Sequence, residues 1–467
     1  MTIRRFLLPL LLVSGCAVPA SPPLVAPIAP AALGLGRATA PLVAGEWWKQ
    51  LGDPQLDRLV ADATAGNPDL DAALARVRQA EAVLSSRRAE DGIDVTLDGN
   101  VQAARLSGRY TIPPPFAGTL RTVGQVQANL AWNLDLFGRQ RAAIEAARES
   151  TRAAGLDLAA ARLAIAGSVV QTYIDLARAE RVAALASQTI ATRQESLRLV
   201  RVRISNRLAS ELDATASETL VAQAQGALVR AQGARVLAAN ALAALAARGP
   251  DYAAAIAPAR LNLDAVVPVP TMLPADLLSR RADIAAAETR IAAAAAERQV
   301  ARRAFYPNVN LAALAGFQAI GLGNLLSLDA GTAGVGPAIH LPLFDNGRLR
   351  ADLAGATAAL DLATADYNQR VIGAVREAAD AIALTGNLVQ QRARSREVVR
   401  GFGETGRLNT VRVNSGLSSR LDLIDNDVRL LDAQLADANL AADAARQRVA
   451  LLLALGGGFS PDQDVRP

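Results

Sequence analysis

Apolar and polar residues change their period along this chain in an order that occurs twice. From Asp53 to about Arg88 the apolar positions fall at helical spacing. Asn67-Pro68 marks a break and a fresh start, because proline is favoured at the first helical position. Val95 to Leu106 alternates with period two and predicts a strand, and Ser107 to Gly118 is a Gly/Pro loop. Thr119 to Leu136 alternates again, with Val123, Gln125, Gln127 and Asn129 interleaved among other residues. Gln140 to about Asn206 holds no proline and only two glycines, and predicts a helix roughly 100 Å long at ~1.5 Å per residue. A turn at Asn206–Ser210 leads to a second helix ending near Arg248.

After a Pro-punctuated stretch from Gly249 to Pro274 the order returns. Ala275–Arg303 predicts helix, Asn308–Leu322 strand, Gly323–Gly331 loop and Thr332–Phe344 strand. Arg348 to about Val413 predicts a long helix, Asn414–Ser419 a turn and Leu421–Leu455 a helix. The residues repeat as well as the pattern. Val202-Arg203 recurs as Val411-Arg412, an offset of 209, and Gly138-Arg139 recurs as Gly347-Arg348. Leu208, Ser210, Leu212 and Asp213 recur as Leu417, Ser419, Leu421 and Asp422. Upstream the offset is 214: Asp69, Arg76, Val95 and Leu97 match Asp283, Arg290, Val309 and Leu311. The five-residue difference falls between Leu97 and Gly138, where the first copy carries Pro113-Pro114-Pro115. A surface loop tolerates such an insertion best.

These boundaries predict a signal peptide at 1–15, an extended tether at 16–45, and a first structural repeat at 46–250. A connector at 251–274, a second repeat at 275–456 and a short tail at 457–467 follow. The four strand segments are long enough to cross a bilayer as tilted strands, which need about 9–11 residues. Four strands cannot close a barrel, and lipid does not tolerate open sheet edges. If these strands cross a membrane, an oligomer follows; the other reading is a small soluble sheet capping a helical stalk.

Composition narrows the field. Hydrophobic residues are 51% of the chain but aromatics only 3%, and much of the apolar count is alanine, which suits long, closely packed helices. One cysteine and one histidine exclude disulfides within the chain and argue against a His/Cys metal site. The net charge of +5 is small and interspersed, so nucleic-acid binding is not expected. No nucleophile–base pattern or phosphate loop is present, and no catalytic residue or cofactor is expected. His340 has no acidic or cysteine partner nearby in sequence and reads as structural, and Trp132 and Phe344 as packing or interface residues.

The N-terminus carries a basic start at Arg4-Arg5, a short apolar stretch from Phe6 to Val13, and then Val13-Ser14-Gly15-Cys16. That last motif resembles the bacterial lipobox, which implies acylation of the Cys16 sulfur, cleavage before Cys16, and several acyl chains, palmitate among them, on that cysteine. An ordinary signal peptide with an incidental cysteine is the alternative. Ala17 rather than Asp after the cysteine favours outer-membrane sorting within that resemblance. The chain after Cys16 has no run of 18 or more apolar residues, so no transmembrane helix is expected.

Several motifs in order are similar to one family. Trp47-Trp48 with Asp53-Pro54 and Asn67-Pro68-Asp69-Leu70 open it, and Trp132-Asn133-Leu134-Asp135-Leu136-Phe137-Gly138-Arg139 continues it. Arg280-Arg281-Ala282-Asp283, Phe305-Tyr306-Pro307 and Pro342-Leu343-Phe344-Asp345-Asn346-Gly347-Arg348 complete it. Together they resemble the TolC-like outer-membrane efflux channels of the NodT lipoprotein type, over nearly the whole chain after the leader. The resemblance implies a mainly α chain with a membrane β-barrel. A homotrimer would build one 12-stranded barrel from four strands per chain, continued by an α-helical periplasmic tunnel. It further implies a periplasmic adaptor, an inner-membrane pump commonly of the RND class, contact with outer-membrane lipid, and location in the outer membrane of a Gram-negative cell. The first copy departs from the family's pattern in having Glu90-Asp91-Gly92 where a proline usually precedes the strand.

The resemblance also assigns residues. Arg207, Leu208 and Ser210, with Ser415, Gly416, Leu417 and Ser418, would form periplasmic tips that meet the adaptor; otherwise they are simply turns between helices. Asp422 and Asp425, with Asp213 as the first-copy counterpart of Asp422, match the acidic rings that narrow the tunnel entrance. Against that, Asp near a helix start is also favoured by capping and by the helix dipole. Three functions compete: a passive exit duct of a tripartite efflux system, a lipid-anchored periplasmic scaffold without a pore, and a protein-secretion duct of the same fold.

Overall fold

The computed structural model describes residues 20, 22–33, 35, 43, 45–109, 112–261, 263, 275–342 and 346–459. Cys16 and the lipobox lie outside the described residues, as do Pro274 and Phe344.

The order of elements is the doubled one. Helices α1 (Pro54–Gly66) and α2 (Pro68–Ala89) lead into strands β1 (Ile93–Arg105) and β2 (Leu120–Asn133). Helices α3 (Arg139–Ser205) and α4 (Glu211–Leu245) follow, then a short α5 (Pro250–Ala254). The second copy gives α6 (Ala282–Arg303), β3 (Asn308–Ile320), β4 (Gly331–His340), α7 (Asn346–Asn414) and α8 (Arg420–Ala454). The Asn67-Pro68 break is real. The Asn67 side chain accepts from the Asp69 amide at 2.9 Å, so the second helix starts on its own cap.

Several ends differ from the sequence pattern; β4 stops at His340 rather than Phe344, and three others have a visible cause. The α-helix of the second copy starts at Ala282, and Ala275–Arg280 is a 3₁₀ turn. The Arg281 carbonyl takes the first helical amide, from Ala285, while its guanidinium holds Asp283 at 2.8 Å and Glu377 at 2.8 Å. Strand β2 stops at Asn133 rather than Leu136, because Asp135 turns to a positive φ of 39° and its carboxylate accepts the amides of Gln140 and Arg141, both at 3.0 Å. The first hairpin's second helix ends at Leu245, three residues early, and Ala247 takes a positive φ of 52° just beyond it.

The chain divides into two compact units. One is built from Arg76–Ala154 and Ala287–Tyr367, with the N-terminal stretch to Pro27. It holds a single antiparallel sheet in the order β1-β2-β3-β4, open at both edges. Phe305, Leu349 and Leu353 form a small core there. The register explains the two offsets. Asp94 faces Ala131 in the first hairpin, and Asn308 faces His340 in the second. Adding 214 to the first strand and 209 to the second converts one hairpin's pairs into the other's, so the two copies pair in the same register. The five extra residues lie between β1 and β2, in the loop that carries Pro113–Pro115.

The other unit holds Ile28–Ala75, Gly155–Ala286 and Asn368–Pro467. Its core gathers Leu56, Leu59 and Val60 of α1, Val169, Val170, Tyr173, Ile174 and Leu176 of α3, Leu242 of α4 and Val449 of α8. By length and composition α3 is apolar enough to cross a membrane, although it holds no unbroken apolar run of 18 residues. The physical reason is burial: its apolar residues from Ile165 to Leu176 are core of this unit.

One polar cluster is set into that core. The Tyr173 hydroxyl donates to Asp53 at 2.5 Å, and Gln55 Nε2 donates to the same hydroxyl at 3.0 Å. Amides of Gln55 and Arg260 also donate to Asp53, at 3.0 and 2.8 Å. Burial pushes the Asp53 carboxyl up, but these donors outweigh it and hold the group below its ordinary range. Burial first, then the neighbouring carboxylate, raises the Tyr173 phenol. The described part of the tether is pinned as well. Asp361 accepts the amides of Leu24 and Val25 at 2.9 and 3.0 Å, and Asn368 accepts that of Ile28 at 2.8 Å.

Candidate functional site

Two regions hold the candidate residues: the sheet and the helical turns. In the sheet, alternation separates a mainly apolar face from one that carries the polar side chains. One face carries Ile93, Val95, Leu97 and Val101 of β1, Leu130 and Trp132 of β2, Leu311 of β3 and Val335 and Ile339 of β4. Most of these apolar side chains are exposed, Leu97 to 74% and Val335 to 76%. A water-facing sheet does not present such a face. The opposite face carries Asp94, Thr96, Asp98 and Asn100 with Gln125, Gln127 and Asn129. This is a wall between an apolar medium and a wet interior.

The helical turns are a matched pair. At the first, the Leu208 amide donates to Arg203 O at 2.8 Å and the Arg207 amide to Ile204 O at 2.9 Å. At the second, Leu417 donates to Arg412 O at 2.8 Å and Gly416 to Val413 O at 3.0 Å. Both close the helix end with one left-handed residue. Gly416 takes φ 71° with open space around it, whereas Arg207 takes φ 59° with a full side chain. Leu208 and Leu417 stand out into solvent, 68% and 71% exposed. Each following helix starts with a capping box: Ser210 with Asp213 and Ser419 with Asp422. Ser415 donates to the Val411 carbonyl at 2.9 Å, and Ser418 to Asp422 at 2.9 Å.

The candidate gate carboxylates are therefore partnered. Asp422 accepts the Ser419 amide at 3.1 Å, and this bond, followed by those from the Ser418 and Ser419 hydroxyls, holds its carboxyl below the ordinary range. In the first copy Asp213 accepts from the Ser210 amide and hydroxyl, both at 2.8 Å, with the same effect. Asp425, one turn on, pairs with Arg429 at 2.9 Å. Capping thus accounts for Asp213 and Asp422 locally, and Asp425 is in an exposed ion pair of small energetic weight.

Farther from the turns the copies differ. The first hairpin joins its helices with an exposed pair, Arg201 to Glu218 at 2.8 Å. The second buries Asn426, whose amide donates to the Phe402 carbonyl at 3.1 Å. Neither Asn426 nor Asp98 stood out in the sequence. The signal for Asp98 was present, in the polar alternation Asp94, Thr96, Asp98, Asn100. His340 is the last residue of β4 and lines a small cleft with Arg139, Tyr306 and Asp352. A larger cleft of about 710 Å³ in the other unit is lined by Trp48, Lys49, Arg58 and Arg162 among others. Among the described residues no three His, Cys, Asp or Glu side chains converge as a metal site.

Comparison with known proteins agrees with the wall and the paired turns. The family model of the outer membrane efflux protein matches residues 59–248 and 273–457. The solvent efflux pump outer membrane protein SrpC of Pseudomonas putida is 33% identical over 430 residues, 91% of this chain and 90% of that protein. The crystal structure of the outer membrane protein VceC from Vibrio cholerae superposes with a TM-score of 0.81 at 32% identity, covering 90% of this chain and all of that one. The outer-membrane channel OprN gives a TM-score of 0.79 at 28% identity, over 94% of this chain and 98% of its own. An open four-stranded sheet with one apolar and one polar face, together with a twice-repeated set of long helices, fits these channels, and the chain belongs to the outer membrane efflux protein family, a family of TolC-like channels rather than of enzymes.

Proposed function

We propose that three copies of this chain close one twelve-stranded barrel in the outer membrane of a Gram-negative cell, and that this barrel is the passive exit duct of a tripartite efflux system. The observation that carries the reading is the sheet itself. Its edges, β1 and β4, are open, and its exposed apolar face needs lipid. In a bilayer the unpaired edges must find partners, so β1 of one copy pairs with β4 of the next. Twelve strands leave a wet lumen lined by the polar face.

In this reading the turns at Arg207, Leu208 and Ser210 and at Ser415–Ser418 meet a periplasmic adaptor. An inner-membrane pump, of the RND class, supplies the energy. The exposed leucines suit the adaptor contact, since a capped turn needs no exposed apolar residue. Acyl chains on Cys16 add a second membrane attachment, each buried CH₂ contributing about 0.8 kcal/mol. Asp422 and Asp425 from three chains narrow the entrance, in addition to the capping that Asp422 performs.

Conductance of the purified protein in planar bilayers tests the duct, with trypsin cleavage near Arg109 in whole cells as its companion. Pores and surface cleavage are expected. No pores and no cleavage would leave the lipid-anchored scaffold, and passage of folded polypeptides would favour a secretion duct. Asp422→Ala with Asp425→Ala should raise conductance; unchanged conductance would leave Asp422 as a cap only. Cys16→Ala should abolish the acylated mass.

A further inference from the structure

Within the polar face of the sheet, four side chains form a directed chain. Gln125 Nε2 donates to Gln127 Oε1 at 2.5 Å, Gln127 donates to Asn129 Oδ1, and Asn129 Nδ2 donates to Asp98 Oδ2 at 2.8 Å. Thr96 adds its hydroxyl to the same carboxylate oxygen at 3.4 Å. Every amide in the row points its N–H₂ end toward Asp98, so the dipoles add rather than cancel. Hydrogen bonds arranged head to tail polarise one another.

The rest of that face is nearly free of charge. Around Asp98 stand Thr96, Asn100, Gln125 and Asn129, and across β3 and β4 stand Ala312, Leu314, Gly316, Gly334, Gly336 and Ala338. Asp94 lies four pairs along β1 from Asp98, opposite Ala131. Arg121 is the one cation on the face among the described strand residues, and it lies at the other end, opposite Ala104. The second copy has no ladder. Ala312 stands where Asp98 would repeat, and Gly334, Gly336 and Ala338 stand where Gln125, Gln127 and Asn129 would.

We propose that Asp98, held by the Gln125–Gln127–Asn129 ladder, sets a fixed negative charge on the barrel's inner wall that makes the wall itself a cation-favouring filter. The proposal rests on the duct reading, since it needs that face to line a water-filled lumen. Three chains place three such carboxylates at one level, alternating with three uncharged stretches of glycine and alanine. A ring of like charges in a confined lumen concentrates counter-ions and repels anions. The cargo favoured by this level is cationic or neutral, and an organic anion meets resistance there whatever happens at the helical turns.

The test is the K⁺/Cl⁻ permeability ratio of reconstituted protein under a KCl gradient. Asp98→Asn keeps the shape and the hydrogen bonds and removes the charge; the ratio should fall about twofold while single-channel conductance stays close to wild type. Ala312→Asp, which writes the missing carboxylate into the second copy, should raise the ratio by a similar factor. The effect should fade between 0.1 M and 1 M KCl, as the screening length shrinks from about 10 Å to about 3 Å. An unchanged ratio in both variants, in a wild-type protein that conducts, overturns the filter and leaves the duct standing. Absence of conductance in the wild type removes the duct and the filter together.

Discussion

Asp98 and Ala312 occupy the same place in two copies of one hairpin, and so do Gln127 and Gly336. The backbone pairing is identical, yet one wall is a polar ladder and the other is glycine and alanine. The helical turns show the opposite balance. There the side chains of the caps repeat, Ser210 with Asp213 and Ser419 with Asp422, while the one left-handed residue differs, Arg207 against Gly416. At the two capping boxes the side chain satisfies the backbone, and both copies keep it. Where it faces only a lumen, the copies are free to diverge, because neither register nor burial depends on it.

Several substitutions break or sharpen this comparison. The largest effect is expected at Gly316. A Cβ there would lie 2.2 Å from the Val126 carbonyl oxygen and 2.6 Å from Gln127 Cα, backbone that cannot move without disturbing the β2–β3 pairing. Gly316→Ala should cost about 3 kcal/mol, read as a lower melting point of the oligomer in detergent. Gly334→Ala, whose nearest neighbour would be Leu314 at 3.8 Å, should be close to neutral. Equal melting points for the two would mean that the close approach is not held in the assembled protein.

Next comes a first-copy feature in the helical core. Tyr173 corresponds to Ile382 in the second copy, so the Asp53–Tyr173 bond has no repeat. Tyr173→Phe should cost about 2 kcal/mol by leaving a buried carboxylate short of a donor. Its acid limb should change as well. The Asp53 carboxyl is lowered in the folded protein. The stability it contributes is therefore complete above the ordinary carboxylate value near pH 4 and is lost as pH falls through the lowered value. The variant should lose less stability than wild type on acidification below about pH 4, followed by circular dichroism. A parallel acid limb would detach Tyr173 from the titration.

Smaller effects concern the turns. Ser210→Ala and Ser419→Ala should each cost about 1 kcal/mol and by similar amounts, since both capping boxes are complete. Hydrogen exchange of the first-turn amides of α4 and α8 would report a difference directly. Smallest is the left-handed residue: Arg207→Gly should stabilise by about 0.5–1 kcal/mol and Gly416→Ala should destabilise by about 1 kcal/mol. Opposite signs are the expected result; the same sign in both would show that the turns are not equivalent.

Much of the fold was legible in the residues. The duplication, both offsets, the strands and the helical hairpins follow from periods of two and 3.6 and from Pro/Gly punctuation. The five-residue difference between offsets already pointed to the β1–β2 loop. Ends were less legible. Asp135 stops β2 by capping α3, and Arg281 delays α6 by holding Asp283 and Glu377; in each a side chain reaches across several residues or to another helix. Gln125, Gln127 and Asn129 were visible as a polar row, but Asp98 lies on another strand, 31 positions away from Asn129 in sequence. Only strand pairing brings them together.

Sequence alone determined what local physics controls: which segments are helix or strand, where they stop at proline and glycine, and that the unit occurs twice. It also determined the period-two alternation of the strands, since alternation needs no partner to be read. The tertiary structure decided what depends on distance. It showed that the two hairpins share one register and that the amides of one point at a single carboxylate. It also placed α3's apolar stretch in a core, and it gave the acidic residues beside the turns their capping bonds. Local periodicity is written into consecutive residues, whereas the direction of a hydrogen bond between strands exists only after the chain has closed on itself.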